Sequence, residues 1–379
     1  MSDPVRVLFV NENIGGHVTV HNAIRRCVQE RTDVVAEFLD AQDPHLAGKL
    51  LRAPLPGLAR LDLDLQPLRA QLVRSRGVRR ALAARLARGD VDVVHVYTQN
   101  CALTSARLLR QLPCVVTTDS TTALNAYRIP YRTPTRFTRL TVRASVPAER
   151  RVLDAADHVI ANSAEAADSL RQVYGVREPR LEVLPFGVWL PPEPAERPER
   201  RPTLVFVGHN LERKGGNRLL RLHQQHLRDR CDLVLVTTQP VQPAPGVRVV
   251  ADLAGGDDRL WEVLAGADVM VFPSTIDQAP NAVLEAAAAG LPVIAHPVAA
   301  VGEMVRDGVT GLLVPPEDDT ALLAAITSLL DDPARRREMG RQGRRHVEQH
   351  YDMRVAVDRL LAICRDLAAA PRAGRGHPA

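Results

Sequence analysis

The chain has 379 residues, 45% of them hydrophobic and 25% charged, and a net charge of +5. One hydrophobic core rarely serves a chain of that length, so two domains are expected, and the balance is that of an ordinary globular protein rather than a disordered or fibrous one. Aromatic residues are only 3% of the chain, which argues against stacking many bases of a nucleic-acid strand, and no run of about 18 apolar residues offers a membrane-spanning helix.

The N-terminus, "MSDPVRVLFV", runs directly into a strand-like stretch with no signal-peptide pattern. "VRVLFV" (5–10) reads as a buried strand, followed by a loop with Gly15 and Gly16 and a helix from about His17. "VDVVHVY" (91–97), "CVVTTD" (114–119), "HVIAN" (158–162) and "LEVLPF" (181–186) are further strand candidates, with helical periodicity between them. This alternation predicts a parallel sheet with helices on both faces. "LPPEPAERPERRP" (190–202), with five prolines and several charges, reads as a linker. The rhythm then restarts at 203–208, 231–238, 247–251, 267–273, 292–295 and 311–315, and helical residues run from about 318 to 368.

The expected organisation is a first doubly wound domain over 1–188, a linker over 189–202 and a second such domain over 203–355. A terminal helix over 356–370 packs back on the first domain, and 371–379 forms a disordered tail. Ligands of such sheets bind outside the carboxyl ends of the strands, so two facing domains would enclose a cleft.

The stretch "STIDQAPNAVLEAAAAGLPVIA" (274–295) places Asp277 on a loop at a strand's carboxyl end and Glu285 one turn into the next helix. Asn281 reads as the N-cap, and the free amides of the first turn favour an anion. A carboxylate so close to an anion site makes sense when it accepts hydrogen bonds from a diol, such as ribose hydroxyls. Asp277 can accept from a second polyol. Taken alone, the two acids read equally as a loop cap and a solvated helix residue. "FVGHNLERKGGNRLL" (206–220) adds Arg213 and Lys214 between a strand and a helix, which suits a diphosphate or forms a basic surface turn. "VNENIGGHVTVHNAI" (10–24) brings Gly15 and Gly16, whose backbone can approach a phosphate. It matches neither a dinucleotide fingerprint nor a P-loop, and a tight structural turn stays open.

The five cysteines are dispersed with no metal-like or disulfide-like spacing, and a reducing cytoplasm fits. "LDLDL" (61–65) spells Asp-x-Asp but alternates like an amphipathic segment, so no essential metal is expected. Residues 128–151, with Tyr131 and Phe137 among arginines, and the basic run at 73–88 read either as solvated faces or as a surface for an anionic membrane or acceptor. Nucleic acid is not expected, because no binding motif accompanies the charge. His95, inside a strand, reads as a core residue, and His21 as structural. His17 is placed to touch donor or acceptor.

Together, "FVGHNLERKGG", "ADVMVFPSTIDQAPNAVLEAAAAGLPVIA" and "GEMVRDGVTGLLVPPED", in this order, resemble the family 4 glycosyltransferases of the GT-B fold. The resemblance implies two Rossmann-like domains facing across a cleft. It implies a retaining transferase that uses a nucleotide diphosphate sugar as co-substrate and needs no other cofactor. It assigns Glu285 to the donor ribose and Asp277 to the transferred sugar. Lys214 and Gly16 go to the diphosphate, and the backbone near Asn281, Ala282 and Val283 to sugar and phosphate. The spacing of the family's Glu-x7-Glu pair is kept, but its first acid here is Asp277. His209 stands where the family often has an arginine, and Arg213 is a candidate for the missing charge. Asp119 stands where many members have a histidine, which leaves it as a catalytic candidate or a turn cap. The acceptor, whether glycan, lipid-linked or small molecule, is left unidentified, as is peripheral attachment at the inner membrane face. A sugar-nucleotide 2-epimerase and a non-catalytic subunit partnering a transferase are the alternative readings.

Overall fold

In the computed structural model the described residues are 3–14, 16–42, 51, 53–127, 134–193, 200–253 and 257–370. Gly15, Tyr131, the tail 371–379 and the middle of the proline-rich stretch lie outside them. The chain divides into two compact units: Met1–Leu184 with Val357–Ala379, and Pro185–Ala356.

Unit 1 is built on a six-stranded sheet in the order β2-β1-β3-β4-β5-β6. Its strands are β1 (Val5–Asn11), β2 (Val34–Asp40), β3 (Val93–Tyr97), β4 (Cys114–Thr118), β5 (His158–Ala161) and β6 (Leu181–Val183). Every pairing is parallel. The central strands are buried on both faces because helices cover both, and this is why their sequences run apolar without alternation. β2 is not among the runs that read as strands. As the sheet edge it is only half buried, and Glu37 and Asp40 interrupt its apolar pattern.

"LDLDL" forms neither a metal site nor an amphipathic element. It follows a single 3-10 turn (Ala59–Leu61), and Asp62 and Leu65 take positive φ. Both aspartates are buried and consumed internally: Asp62 accepts from Thr138 Oγ1 at 2.6 Å, and Asp64 accepts from the amides of Leu55 and Gln66, each at 3.2 Å. The last helix, Met353–Ala369, is tied into unit 1 by ion pairs of Arg31 with Asp358 and of Arg359 with Glu182.

Unit 2 repeats the plan in the order β12-β11-β10-β7-β8-β9. Here β7 is Thr203–Val207, β8 Asp232–Val236, β9 Val247–Val250, β10 Val269–Phe272, β11 Val293–Ala295 and β12 Gly311–Leu313. One apolar layer lies on each side of this parallel sheet. The helix Asn281–Ala288 is alanine-rich, and Arg344 Nη1 of the helix Pro333–His350 caps its Ala288 carbonyl at 2.6 Å. In each unit the chain builds outward from its first strand (β1 or β7) to one side and then crosses to the other (β3 or β10). The carboxyl ends of these paired strands are the positions where doubly wound sheets bind ligands.

Candidate active site

At that edge of unit 2, the loop after β7 carries Arg213 and Lys214, and the loop after β10 carries Asp277. Lys214 lies along the backbone of Gly208, where a Cβ would come within 2.7 Å of its Cδ. Gly215 takes φ +78°, and a Cβ there would meet the Pro273 carbonyl oxygen at 2.3 Å, so glycine brings these two loops together. Lys214 Nζ ends 3.2 Å from Asp277 Oδ2 and 5.3 Å from the centre of the Phe272 ring. Arg213 Nη1 donates to the Ile276 carbonyl at 2.9 Å and lies 3.7 Å from Asp277, so part of its role is to shape the loop that carries the acid. Ser274 Oγ donates to the same Ile276 carbonyl at 3.0 Å.

The helix after this loop begins differently from expectation. Its N-cap is Pro280, in extended conformation, and Asn281 is the first helical residue. A proline has no side-chain acceptor, so no side chain caps the helix. The Val283 amide turns back to the Pro280 carbonyl at 3.0 Å, and the amides of Asn281 and Ala282 precede any intrahelical bond. Ala282 and Val283 are themselves buried. Glu285 sits one turn further on, on a helix whose other residues past Asn281 are buried. Burial pushes its carboxyl up to about 7, with the Lys214 charge as the partial counterweight. Among the described residues no hydrogen bond reaches that carboxyl group. Asp277 Oδ2 is likewise buried without a hydrogen-bond partner despite the nearby ammonium. His209 is exposed, 3.4 Å from the Thr238 hydroxyl, and joins none of these groups.

In unit 1 the corresponding edge holds a connected cluster. The helix Gly16–Val28 presents His17, whose Nε2–H donates to Asp119 Oδ2 at 2.9 Å at the end of β4. Its Nδ1 lies 3.7 Å from Glu12 Oε2, and its ring meets Tyr97 edge to face at 5.1 Å. Burial works against charge on His17, but the hydrogen bond to Asp119 and the charges of Asp119 and Glu12 outweigh it and hold its pKa above 6.5. Glu12, only 5% exposed, accepts from Thr98 Oγ1 at 3.0 Å and from Arg74 Nη1 at 3.4 Å.

The turn carrying Asp119 is pinned from below. Gln99 Nε2 donates to the Ser120 carbonyl at 2.8 Å, and the Thr122 amide to buried Glu149 at 3.1 Å. Glu149 also accepts from Tyr174 and Gln99; burial raises its pKa, and these hydrogen bonds offset part of the rise.

Gly16 is exposed with open space around its Cα. His95 is buried and neutral, hydrogen-bonded to Thr117 at 2.8 Å, with burial lowering its pKa to about 3. His21 is also buried, and burial lowers its pKa to about 4 although its Nδ1–H donates to Asp40 at 2.8 Å. Glu12, Arg74 and Glu149 are site residues that sequence reasoning missed. Glu12 had a readable signal, a carboxylate immediately after a buried strand, whereas Arg74 is one of many arginines on its helix. Among the described residues no group of three or more His, Cys, Asp and Glu is placed to hold a metal ion, and no helix is long and apolar enough to cross a membrane.

Two family models match the chain: glycosyltransferase family 4 over residues 14–190 and glycosyl transferases group 1 over 201–332. The α-maltose-1-phosphate synthase of Mycolicibacterium smegmatis is 30% identical over 73% of this chain and 79% of its own length. The chain belongs to the family 4 glycosyltransferases. A D-inositol 3-phosphate glycosyltransferase of Catenulispora acidiphila is 31% identical over 62% of each chain. Among solved structures, sucrose-phosphate synthase from Thermosynechococcus elongatus superposes with TM-score 0.73 at 21% identity, over 97% of this chain and 100% of that one. Anabaena HepE, solved with UDP-glucose, superposes with TM-score 0.63 at 16% identity, over 96% of this chain and 100% of that one. These superpositions establish the GT-B fold of this transferase.

Proposed function

We propose that this glycosyltransferase moves a sugar from a nucleotide diphosphate sugar to a hydroxyl of a sugar or glycan acceptor, with retention at the anomeric carbon. The observation that carries the reading is in unit 2. A fixed ammonium, Lys214, lies 3.2 Å from Asp277, whose Oδ2 is buried without a hydrogen-bond partner, and its charge also acts on the Glu285 carboxyl, which no hydrogen bond reaches among the described residues. A buried polar group without a partner in the protein finds it in a ligand. In this reading the ribose hydroxyls donate to Glu285 and the hydroxyls of the transferred sugar to Asp277.

The bond from the anomeric carbon to the leaving phosphate oxygen breaks, and charge grows on the diphosphate. Lys214, Arg213 and the amides of Asn281 and Ala282 stabilise that charge before it forms, which lowers the barrier. The acceptor oxygen bonds to the anomeric carbon from the face the leaving group departs, and its proton passes to the departing phosphate. No strong protein base is then required. The paired acids do not act as the acid and base or nucleophile of a glycosidase. Fixed cations also make an essential metal ion unnecessary, so activity should survive a chelator. In unit 1, Asp119 is held in place by His17 and serves the acceptor.

A screen of nucleotide sugars by thermal shift tests the donor site, because a ligand of the native state raises apparent stability by mass action. Lys214→Ala and Glu285→Ala should each abolish the shift of the best donor, and an intact shift in both variants would refute the assignment.

We also infer contact with anionic lipid. Arg139, Leu140 and Arg143 are exposed together on the helix Thr138–Leu153, and basic groups beside an apolar one suit such a surface. Co-sedimentation with anionic but not neutral vesicles, lost in Arg139→Glu/Arg143→Glu, is the expected result. The free state of all five cysteines supports a cytoplasmic setting.

A further inference from the structure

Unit 1 contains a cavity of about 410 Å³ lined by Glu12, Asn13, Asp40, Ala41, Gln42 and Arg74. It opens at the carboxyl ends of β1 and β2, and its volume is in the range that receives small ligands. Glu12 links it to the site already described, since the same carboxylate faces His17 Nδ1 at 3.7 Å.

We infer that this cavity binds the acceptor, and that the acceptor is an uncharged polyol, a sugar or cyclitol with adjacent free hydroxyls. The inference rests on the transferase reading and adds the chemical class of its second substrate.

The charges of the lining decide the class. Arg74 is the one cation among the described lining residues, and it is engaged with Glu12 at 3.4 Å. Asp40 is engaged on both oxygens, by His21 at 2.8 Å and by Arg25 at 2.6 Å. An entering phosphate would face two carboxylates and, among the described lining residues, one cation, Arg74, whose charge Glu12 already balances. An entering ammonium would find each carboxylate already neutralised. Neither ion gains enough to offset its lost hydration.

Hydroxyl groups meet the opposite situation. A carboxylate offers about four lone-pair sites, and Glu12 and Asp40 each use two of theirs on the partners named. Two acceptors therefore face the cavity, ready to receive O–H donors. At the rim, Asn13 and Gln42 carry amides that both donate and accept. Ala41 is the only apolar member among the described lining residues, so an alkyl or lipid chain has little to bind there.

The test uses the full chain and the nucleotide sugar giving the largest thermal shift. Nucleoside diphosphate release is measured with glucose and myo-inositol, with glucosamine, and with glucose 6-phosphate as acceptors. An uncharged polyol should exceed the charged compounds at least tenfold in kcat/KM. Equal or better use of a charged compound, or no use of any while the donor binds, overturns the inference and leaves donor recognition standing. Absence of binding to every nucleotide sugar removes the transferase reading itself.

Glu12→Gln should raise the KM for the polyol roughly tenfold or more, the scale of a lost hydrogen bond to a charged group, with the donor-induced thermal shift unchanged. Gln42→Ala, at an exposed position where folding is not at risk, should raise the same KM by a smaller factor. Unchanged acceptor KM in both variants, or equal weakening of donor and acceptor, overturns the inference.

Discussion

In unit 1 the charged groups at the sheet edge pair with one another, although His17 Nδ1, His21 Nε2 and Arg25 Nε are buried without a hydrogen bond. His17 donates to Asp119, Arg74 and Thr98 donate to Glu12, and Arg25 and His21 share Asp40. In unit 2, at the equivalent edge of an equivalent sheet, Asp277 Oδ2 is buried without a hydrogen bond, the half-buried Glu285 carboxyl receives none among the described residues, and Lys214 is the charge that acts on both. The first arrangement is preorganised, with its charges balanced before a ligand arrives. The second is unfinished, storing an electrostatic cost that a ligand's hydroxyls and phosphates relieve. Substitutions should therefore act differently: in unit 2 mainly on donor binding and turnover, in unit 1 on protonation, geometry and acceptor use.

The largest effect is expected from Lys214→Ala. Loss of one preorganised charge-stabilising group should lower kcat by a factor on the order of 10² to 10³, read by nucleoside diphosphate release. A change under fivefold would place the stabilising charge elsewhere.

Glu285 gives a pH signature. Its carboxyl binds a proton up to about 7 in the fold against 4.5 in the unfolded chain, so the native state holds the extra proton between those values. The stability of the unliganded protein should fall as pH rises from 4.5 to about 7, by at most about 3 kcal/mol, and then level off. Glu285→Gln should lack that slope in denaturant titrations. Ribose hydroxyls favour the ionised carboxylate, so donor affinity should rise over the same interval. A slope shared by the variant would assign it to other groups.

Gly215→Ala sharpens the comparison through the backbone. The positive φ and the 2.3 Å approach to the Pro273 carbonyl should make it destabilising by roughly 1–3 kcal/mol, and donor binding should weaken with it. Full stability in urea unfolding would show that the two loops tolerate separation.

The smallest effect tests unit 1. His17 should titrate above 6.5 in the native protein, and Asp119→Asn should lower that value, followed by the His17 ring proton in NMR. The stabilisation from this pair is fully present below pH 6.5 and lost as pH rises through the raised value. A His17 pKa indifferent to Asp119 would show that the two side chains are not coupled.

Much of the candidate donor site was legible because its signals are local. A strand, a loop with charge and glycine, and a helix follow one another within 15 residues at 206–220, and a strand, a loop carrying Asp277 and a helix within 22 residues at 267–288. Asn281 was misread as the cap because its residue type is the commoner solution, while Pro280 in fact precedes the helix. β2 escaped because an edge strand has no need of a continuous apolar run. The engagement of Arg213 with the Ile276 carbonyl was hidden because it depends on a loop 63 residues away.

The sequence by itself determined the two-sheet plan and most of its strands, since apolar periodicity and glycine and proline punctuation act between neighbours in the chain. It also placed Lys214, Asp277 and Glu285 at strand and helix ends. Only the tertiary structure decided which charges cancel: that Asp119 belongs to His17, that Glu12 turns Arg74 into a neutral pair, and that Glu285 is left unsatisfied. Charge pairing and burial depend on distances between residues far apart in the chain, and those distances exist only once the sheets have formed.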